Sequence, residues 1–309
     1  MQTTAAPPWA LILAGGDGTR LRVLTRQISG DERPKQFCRL LEGESLLERT
    51  QQRVELLSRY DRQVVVVTRA HEPFYAGLVA DLAPGRLVVQ PGNRGTAPGV
   101  LYPLLRIAEL AGDVPLAIFP SDHFIDDDLA FMSVVRGALQ AATARPGLVV
   151  LLGIEAATAE PEYGWIEPAA RPLPIDGEPV FPVRHFWEKP SRGLARRLFA
   201  RECLWNSFVM VGHVRAFLAL IAAGVPELHQ AFEPIRRAVG SRREAAVAER
   251  VYAGIPEINF SERVLVPAAG RIGVARVKGV DWSDLGNPER VLATISRHNL
   301  PRLPLVLPA

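Results

Sequence analysis

Along the first half of the chain, short apolar runs alternate with longer stretches of helical period. Residues 9–14, 64–68, 86–90, 115–119 and 148–152 are apolar runs bounded by Gly, Pro or polar positions, and read as strands. Between them, residues 45–57, 72–82, 96–110 and 128–144 repeat apolar positions at helical spacing and read as helices. Strands alternating with helices bury both faces of a sheet, so the pattern predicts an α/β fold: a Rossmann-like, doubly wound, mostly parallel mixed sheet. Ligands in such sheets bind at the carboxyl ends of the strands, which directs attention to the residues just after each strand.

Beyond Gly153 the rhythm changes. Residues 163–167, 183–188 and 205–212 read as strands, and the Pro- and Gly-rich stretch 168–182 as a connecting loop. Helical segments follow at 191–201, 214–223 and 241–253, then a strand near 271–280 and a last helix over 288–297. No repeat and no long linker divides the chain, which predicts one domain over 1–309. Its tail, 299–309, with prolines at 301, 304 and 308, is expected to be irregular.

A net charge of +3, 48% hydrophobic and 22% charged residues exclude a disordered or collagen-like chain. Cys38 and Cys203 lack any CxxC spacing, so neither a disulfide framework nor a zinc site is implied, and a reducing, cytoplasmic setting fits best. The run 9–14 is too short to span a membrane and no basic region precedes it, so neither a membrane nor export is expected. A pI near 9.1 invites a nucleic-acid partner, but no RNP or zinc-finger pattern focuses the arginines, and none is expected. The chain has only three lysines, Lys35, Lys189 and Lys278. An ammonium is a compact point charge where a guanidinium is a flat fork, so these scarce lysines are candidates for sites that need the former.

Directly after the first strand comes Gly15-Gly16-Asp17-Gly18-Thr19-Arg20-Leu21, followed by Arg33-Pro34-Lys35. Glycines there let main-chain N–H groups approach an anion, and Arg20 and Lys35 add charge against a polyphosphate. The loop is not a Walker A sequence, and Leu21 breaks the dinucleotide fingerprint. Asp122, in Pro120-Ser121-Asp122-His123 at another strand end, is placed to hold Mg²⁺, whereas His123 reads as a packing or polar-contact histidine. Asp284 is a candidate second carboxylate for the same ion, with a turn or capping role as its alternative. Glu188 and Lys189 close a strand with groups suited to hydroxyl and phosphate, and Asn206 opens the next strand with an amide; taken singly, a Glu-Lys pair is usually a surface pair worth little and an Asn usually a turn residue.

Taken in order, these motifs resemble the sugar-phosphate nucleotidyltransferases, in particular the short mannose-1-phosphate guanylyltransferases, over roughly residues 9–298. Leu-Ala-Gly-Gly-x-Gly-Thr-Arg-Leu with Pro34-Lys35-Gln36-Phe37 is similar to the family signature, and residues 91–98 to its base-contacting loop. Residues 120–123, 163–167, 186–190, 205–207 and 282–284 follow in the family's order. The resemblance implies a nucleotide-diphospho-sugar transferase (GT-A-like) fold without a C-terminal β-helix and without a second activity. It implies a nucleotide-binding half over 9–152 and a sugar-phosphate half over 153–298. Gly15, Gly16, Gly18, Thr19, Gln90 and Thr96 would serve the nucleotide, Arg20 and Lys35 the triphosphate, and Asp122 and Asp284 magnesium. Gly164, Glu167, Glu188, Lys189 and Asn206 would hold the sugar phosphate. The implied reaction joins GTP and mannose 1-phosphate into GDP-mannose and pyrophosphate; a homodimer is among the arrangements it allows. Two rivals are a relative using another sugar 1-phosphate or base, such as glucose 1-phosphate with UTP or dTTP, and a non-catalytic nucleotide-sugar sensor. The sequence departs from the family at Asn93-Arg94-Gly95-Thr96, where the order Gly-Arg-Asn-Thr is usual, and at Phe208, where a glycine usually follows Asn-Ser.

Overall fold

A computed structural model describes residues 7–41 and 43–301; residues 302–309, most of the tail expected to be irregular, lie outside the described residues. The strands are β1 (Trp9–Leu13), β2 (Gln63–Thr68), β3 (Leu87–Gln90), β4 (Pro115–Pro120), β5 (Phe124–Ile125), β6 (Val150–Glu155), β7 (Gly164–Pro168), β8 (Val180–Glu188), β9 (Leu204–His213), β10 (Gly273–Val277) and β11 (Trp282–Ser283). The helices are α1 (Arg22–Ser29), α2 (Leu46–Glu55), α3 (Glu72–Tyr75), α4 (Thr96–Ala111), α5 (Asp128–Ala144), α6 (Arg192–Ala200), α7 (Val214–Gly224), α8 (Pro226–Ala231), α9 (Glu233–Ala238), α10 (Glu244–Gly254) and α11 (Pro288–Arg297).

Nine strands form one mixed sheet in the order β3-β2-β1-β4-β9-β6-β10-β8-β7, with β7 also pairing with β9. Pairing is parallel through β3, β2, β1 and β4 and again between β6 and β10. β9 runs antiparallel to both β4 and β6, joining the two halves along shared strands. That continuity explains why no linker marks a boundary near Gly153.

Strand alternation sorts the core into two layers. Leu11, Val64, Val66 and Ile118 pack on one face with α4, α7 and α10, while Ala10, Ile12, Val65 and Val67 pack on the other with α5. A third, smaller cluster joins Leu21, Leu24 and Ile28 to Leu285, Val291 and Ile295, and so seats α11 beside the segment that follows the first strand.

Local boundaries depart from the sequence reading where no periodic signal exists. The expected helix 72–82 is one turn, α3, followed by turns, because Gly77 interrupts it. The expected loop 168–182 is shorter, since β8 begins at Val180 and pairs with β10. Helices α8 and α9, each opened by a proline in its first turn, and the two-residue pair β5–β11 had not been anticipated.

Candidate active site

The carboxyl ends of β1 and β4 lie side by side, as Leu13 pairs with Pro120. The loop after β1 is fixed by its carbonyls: the Gln36 amide donates to Ala14 O (3.0 Å) and Gly16 O (2.7 Å), and the Thr68 hydroxyl donates to Gly15 O at 2.8 Å. Gly18 turns the chain at φ 59°, a left-handed conformation that favours glycine, and starts the turn Thr19–Leu21. A cavity of about 610 Å³ opens over these strand ends.

Most of the residues singled out in the sequence meet in this cavity. Gly15, Gly16, Arg20, Gln90, Thr96, Asp122, Gly164, Glu188, Lys189, Asn206 and Asp284 all line it. Gly18, Thr19, Lys35 and Glu167 are not among its lining residues. Lys35 is drawn behind the wall: its ammonium lies 3.2 Å from Asp122 Oδ2 and donates to the main-chain carbonyls of Asp284 and Leu285. Glu167 corrects the reading more sharply. Side chains alternate along β7, so Gly164 faces the cavity while Glu167 points to the opposite face, where Arg201, His185 and Arg184 surround its carboxylate. It is therefore not placed to touch a sugar in the cavity.

Asp284 is held closely. The Arg290 guanidinium donates to both carboxylate oxygens at 3.0 and 3.2 Å, and Gly286 N donates to Oδ1 at 2.8 Å. Burial works to raise the Asp284 pKa, but the Lys35 and Arg290 charges outweigh it and hold the carboxyl below its usual range. Burial pushes the Glu188 carboxyl up, with Glu262 adding to the rise and Lys189 opposing it. His123 is buried, which favours its neutral form; its Nδ1 accepts from the Trp282 indole at 3.3 Å, the polar-contact role expected of it.

Two non-glycine residues lining the cavity adopt left-handed backbone, Lys189 (φ 46°) and Phe208 (φ 59°), and so does Leu285 (φ 47°), the neighbour of the lining residue Asp284. Phe208 sits in a bulge of β9, where the register with β6 shifts between Leu151 and Gly153. The conformation explains a glycine preference there, and here a phenylalanine adopts it with its ring edge-on to Phe260 at 5.9 Å. Backbone strain of this kind costs about 1–3 kcal/mol per residue and gathers at functional sites.

Several lining residues had no sequence signal. Glu257, Asn259, Ser261 and Glu262 form a wall beside Glu188, contributed by the segment entering the π-helical turn Ser261–Leu265. That segment is brought in by Gly95 and Thr96: Ala97 N bonds Ile258 O at 3.0 Å, and the Thr96 hydroxyl accepts from Phe260 N at 2.7 Å. Asn93 bridges the same loop to the glycine loop through a 2.8 Å bond to Asp17, while Arg94 is committed to Tyr252 O. Among the described residues, no group of three or more His, Cys, Asp or Glu is placed to hold a metal, and no helix is long and apolar enough to cross a membrane.

The nucleotidyl transferase family model matches residues 9–298. Xanthan biosynthesis protein XanB of Xanthomonas campestris is 29% identical over 283 residues, covering 90% of this chain and 57% of that protein. A mannose-1-phosphate guanylyltransferase of Klebsiella pneumoniae is 26% identical, covering 90% of this chain and 58% of that protein. The chain thus spans little more than half the length of these curated relatives. Among solved structures, one from Thermus thermophilus described as a mannose-1-phosphate geranyltransferase is 32% identical, covers 93% of this chain and 80% of that one, and superposes with a TM-score of 0.76.

Proposed function

The chain belongs to the nucleotidyl transferase family, with the nucleotide-diphospho-sugar transferase fold, and from that premise we propose that it transfers GMP from GTP to mannose 1-phosphate, releasing pyrophosphate. The observation that carries the reading is the convergence of the glycine loop, two carboxylates and the Glu188-Lys189-Asn206 group on one cavity. Mannose and guanine are supported by the likeness to the Klebsiella enzyme and by the resemblance of Pro34-Lys35-Gln36-Phe37 to the mannose branch of the family.

The reaction needs no strong base, because the attacking oxygen of a sugar 1-phosphate is already anionic near neutral pH. What remains is alignment and charge neutralisation. A loop whose carbonyls are tied off can offer its N–H groups to the nucleotide phosphates, and Arg20, on the rim, meets the leaving pyrophosphate. Lys189 binds the phosphate of the sugar, and Glu188 and Asn206 accept and donate to its hydroxyls. Lys35 works from behind by holding Asp122 in place. The residues fit magnesium in kind: Asp122 and Asp284 bring two hard carboxylate donors to one cavity, the oxygen ligands this ion takes. Bound there, the ion supplies positive charge against the phosphate oxygens.

Pyrophosphate release measured for every pairing of GTP, ATP, UTP, dTTP and CTP with the 1-phosphates of mannose, glucose and N-acetylglucosamine tests the proposal. The highest kcat/KM should fall on GTP with mannose 1-phosphate. A best pair lacking either would overturn the substrate assignment.

A further inference from the structure

Arg290, in the first turn of α11, lies outside the cavity wall yet stands at the junction of its charged groups. Its side chain is only 13% exposed. The guanidinium reaches Asp284 at 3.0 and 3.2 Å, Glu162 at 2.8 Å and Glu160 at 3.1 Å, and its plane lies over the Tyr163 ring, 4.5 Å from the centroid. Tyr163 in turn donates to Asp284 Oδ1 at 3.3 Å. Glu162 accepts from Arg20 across the cavity mouth at 3.5 Å, so one guanidinium connects the Asp284 carboxylate to the arginine of the glycine loop.

A structural ion pair needs one partner; three carboxylates and an aromatic face around one fork fix its orientation as well as its charge. A single contact to a freely rotating carboxylate would leave Asp284 several orientations. Here two N–H donors from Arg290 and Gly286, together with the Tyr163 hydroxyl, converge on Oδ1, while Oδ2 carries the longer Arg290 contact. The asymmetry leaves Oδ2 the less engaged oxygen of a carboxylate that lines the cavity. The helix that carries Arg290 is anchored independently: the Asn287 side chain caps it by accepting from Arg290 N at 2.9 Å, and Val291 and Ile295 are buried against the segment following the glycine loop.

We propose that Arg290 is a positioning residue for nucleotidyl transfer: it holds the Asp284 carboxylate in one orientation and, through Glu162, ties the Arg20 arm to the same anchor. The inference rests on the reaction proposed above. It makes α11 part of the active site's support, and it links the Asp284 carboxylate to Arg20 through Arg290 and Glu162.

The test compares Arg290→Ala, Arg290→Lys and Asp284→Asn in the full chain. Arg290→Ala should lower kcat by about 10²-fold, the cost expected of a misplacement near 1 Å, with KM for mannose 1-phosphate changed much less. Guanidinium chloride, kept well below denaturing concentration, should restore part of the kcat of Arg290→Ala and none of that of Asp284→Asn. Arg290→Lys, which keeps the charge without the fork, should fall between wild type and Arg290→Ala. A folded Arg290→Ala protein with wild-type kcat, or one whose kcat and KM both deteriorate with no guanidinium rescue, would overturn the proposal. If Arg290→Ala does not fold, Arg290→Lys decides: wild-type kcat overturns the inference and a loss of about tenfold, one kinetic decade of transition-state stabilisation, supports it. Calorimetric titration with GTP and magnesium separates the two readings. A wild-type protein that binds GTP but turns over no sugar phosphate removes the proposed reaction, while weaker GTP binding by Arg290→Ala, through the released Arg20, still supports the tether and unchanged binding sinks it.

Discussion

The Lys35 ammonium lies 3.2 Å from Oδ2 of Asp122, inside the wall of the cavity rather than on its surface. One of the three lysines in the chain is thereby committed to a carboxylate that follows a different strand. Asp122→Asn would weaken this pair to a neutral contact while Lys35 keeps the carbonyls of Asp284 and Leu285. Pyrophosphate release by Asp122→Asn should fall by about 10²-fold or more, as when a single charged contact to a transition state is removed. Circular dichroism and thermal unfolding should remain close to wild type; turnover at the wild-type rate would remove Asp122 from the chemistry.

Lys189 and Lys35 divide the site, since only Lys189 lines the cavity, on the side of Glu188 and Asn206. Lys189→Ala should raise KM for mannose 1-phosphate by about tenfold or more, the equivalent of one charge-assisted hydrogen bond, and raise that for GTP far less. Lys189→Arg should not restore the wild-type value, because a planar fork cannot take the place of a point charge in a confined site. Steady-state kinetics with each substrate varied in turn read this directly, and a larger effect on GTP would reverse the assignment.

At Gly95 the backbone has φ 82°, and a Cβ there would lie 2.5 Å from Ile258 O and 2.8 Å from Ile258 N. Neither atom is the end of a flexible side chain. Gly95→Ala should therefore cost about 2–4 kcal/mol, combining left-handed strain with overpacking. Urea denaturation measures it, and a midpoint unchanged from wild type would show that the Ile258 segment moves freely.

Phe208 offers an inverted test of strain. In an ordinary strand glycine is worse than alanine by about 0.5–1 kcal/mol. At φ 59° the order should reverse, with Phe208→Gly more stable than Phe208→Ala by about 1 kcal/mol, because both lose the contact with Phe260 and only glycine escapes the left-handed cost. Equal stability of the two variants would argue that the bulge relaxes when the ring is removed.

Asp281 couples α11 to the sheet through Arg297 at 2.9 Å and His298 at 2.7 Å. Burial works to raise its pKa, but hydrogen bonds from Arg297 and His298 prevail and hold the carboxyl below its usual range. A lowered carboxylate pKa contributes stability above the unfolded value of about 3.9 and loses it as pH falls through the folded value. Asp281→Asn should thus be less stable than wild type at pH 7, by at most about 1 kcal/mol for a partly exposed pair, and the difference should begin to shrink as pH falls below the unfolded value of about 3.9. Thermal melts across pH 3–8 would show it; a difference undiminished from pH 7 to pH 3 would mean that shape rather than charge is at work.

What the sequence determined by itself is what neighbouring residues determine. The runs that became β1, β2 and β4 were visible because consecutive apolar residues need no distant partner to favour a buried strand, and α5 was legible over its full length from its period. The glycine loop and Asp122 were legible because they directly follow such strands. Tertiary structure decided where side chains with several available partners would go. Glu167 was read as a sugar contact, but the pleat of β7 turns it to Arg201 on the other face. Lys35 carries the same charge in any register, yet only the approach of Asp122 and Asp284 draws it behind the wall. Glu257 to Glu262, and Arg290, gave no local signal at all. Their roles come from Ile258 docking on the Gly95 turn and from α11 packing on the third core. A charged side chain takes its function from the groups that desolvate and pair it, and in this chain those groups are supplied by segments far apart in sequence.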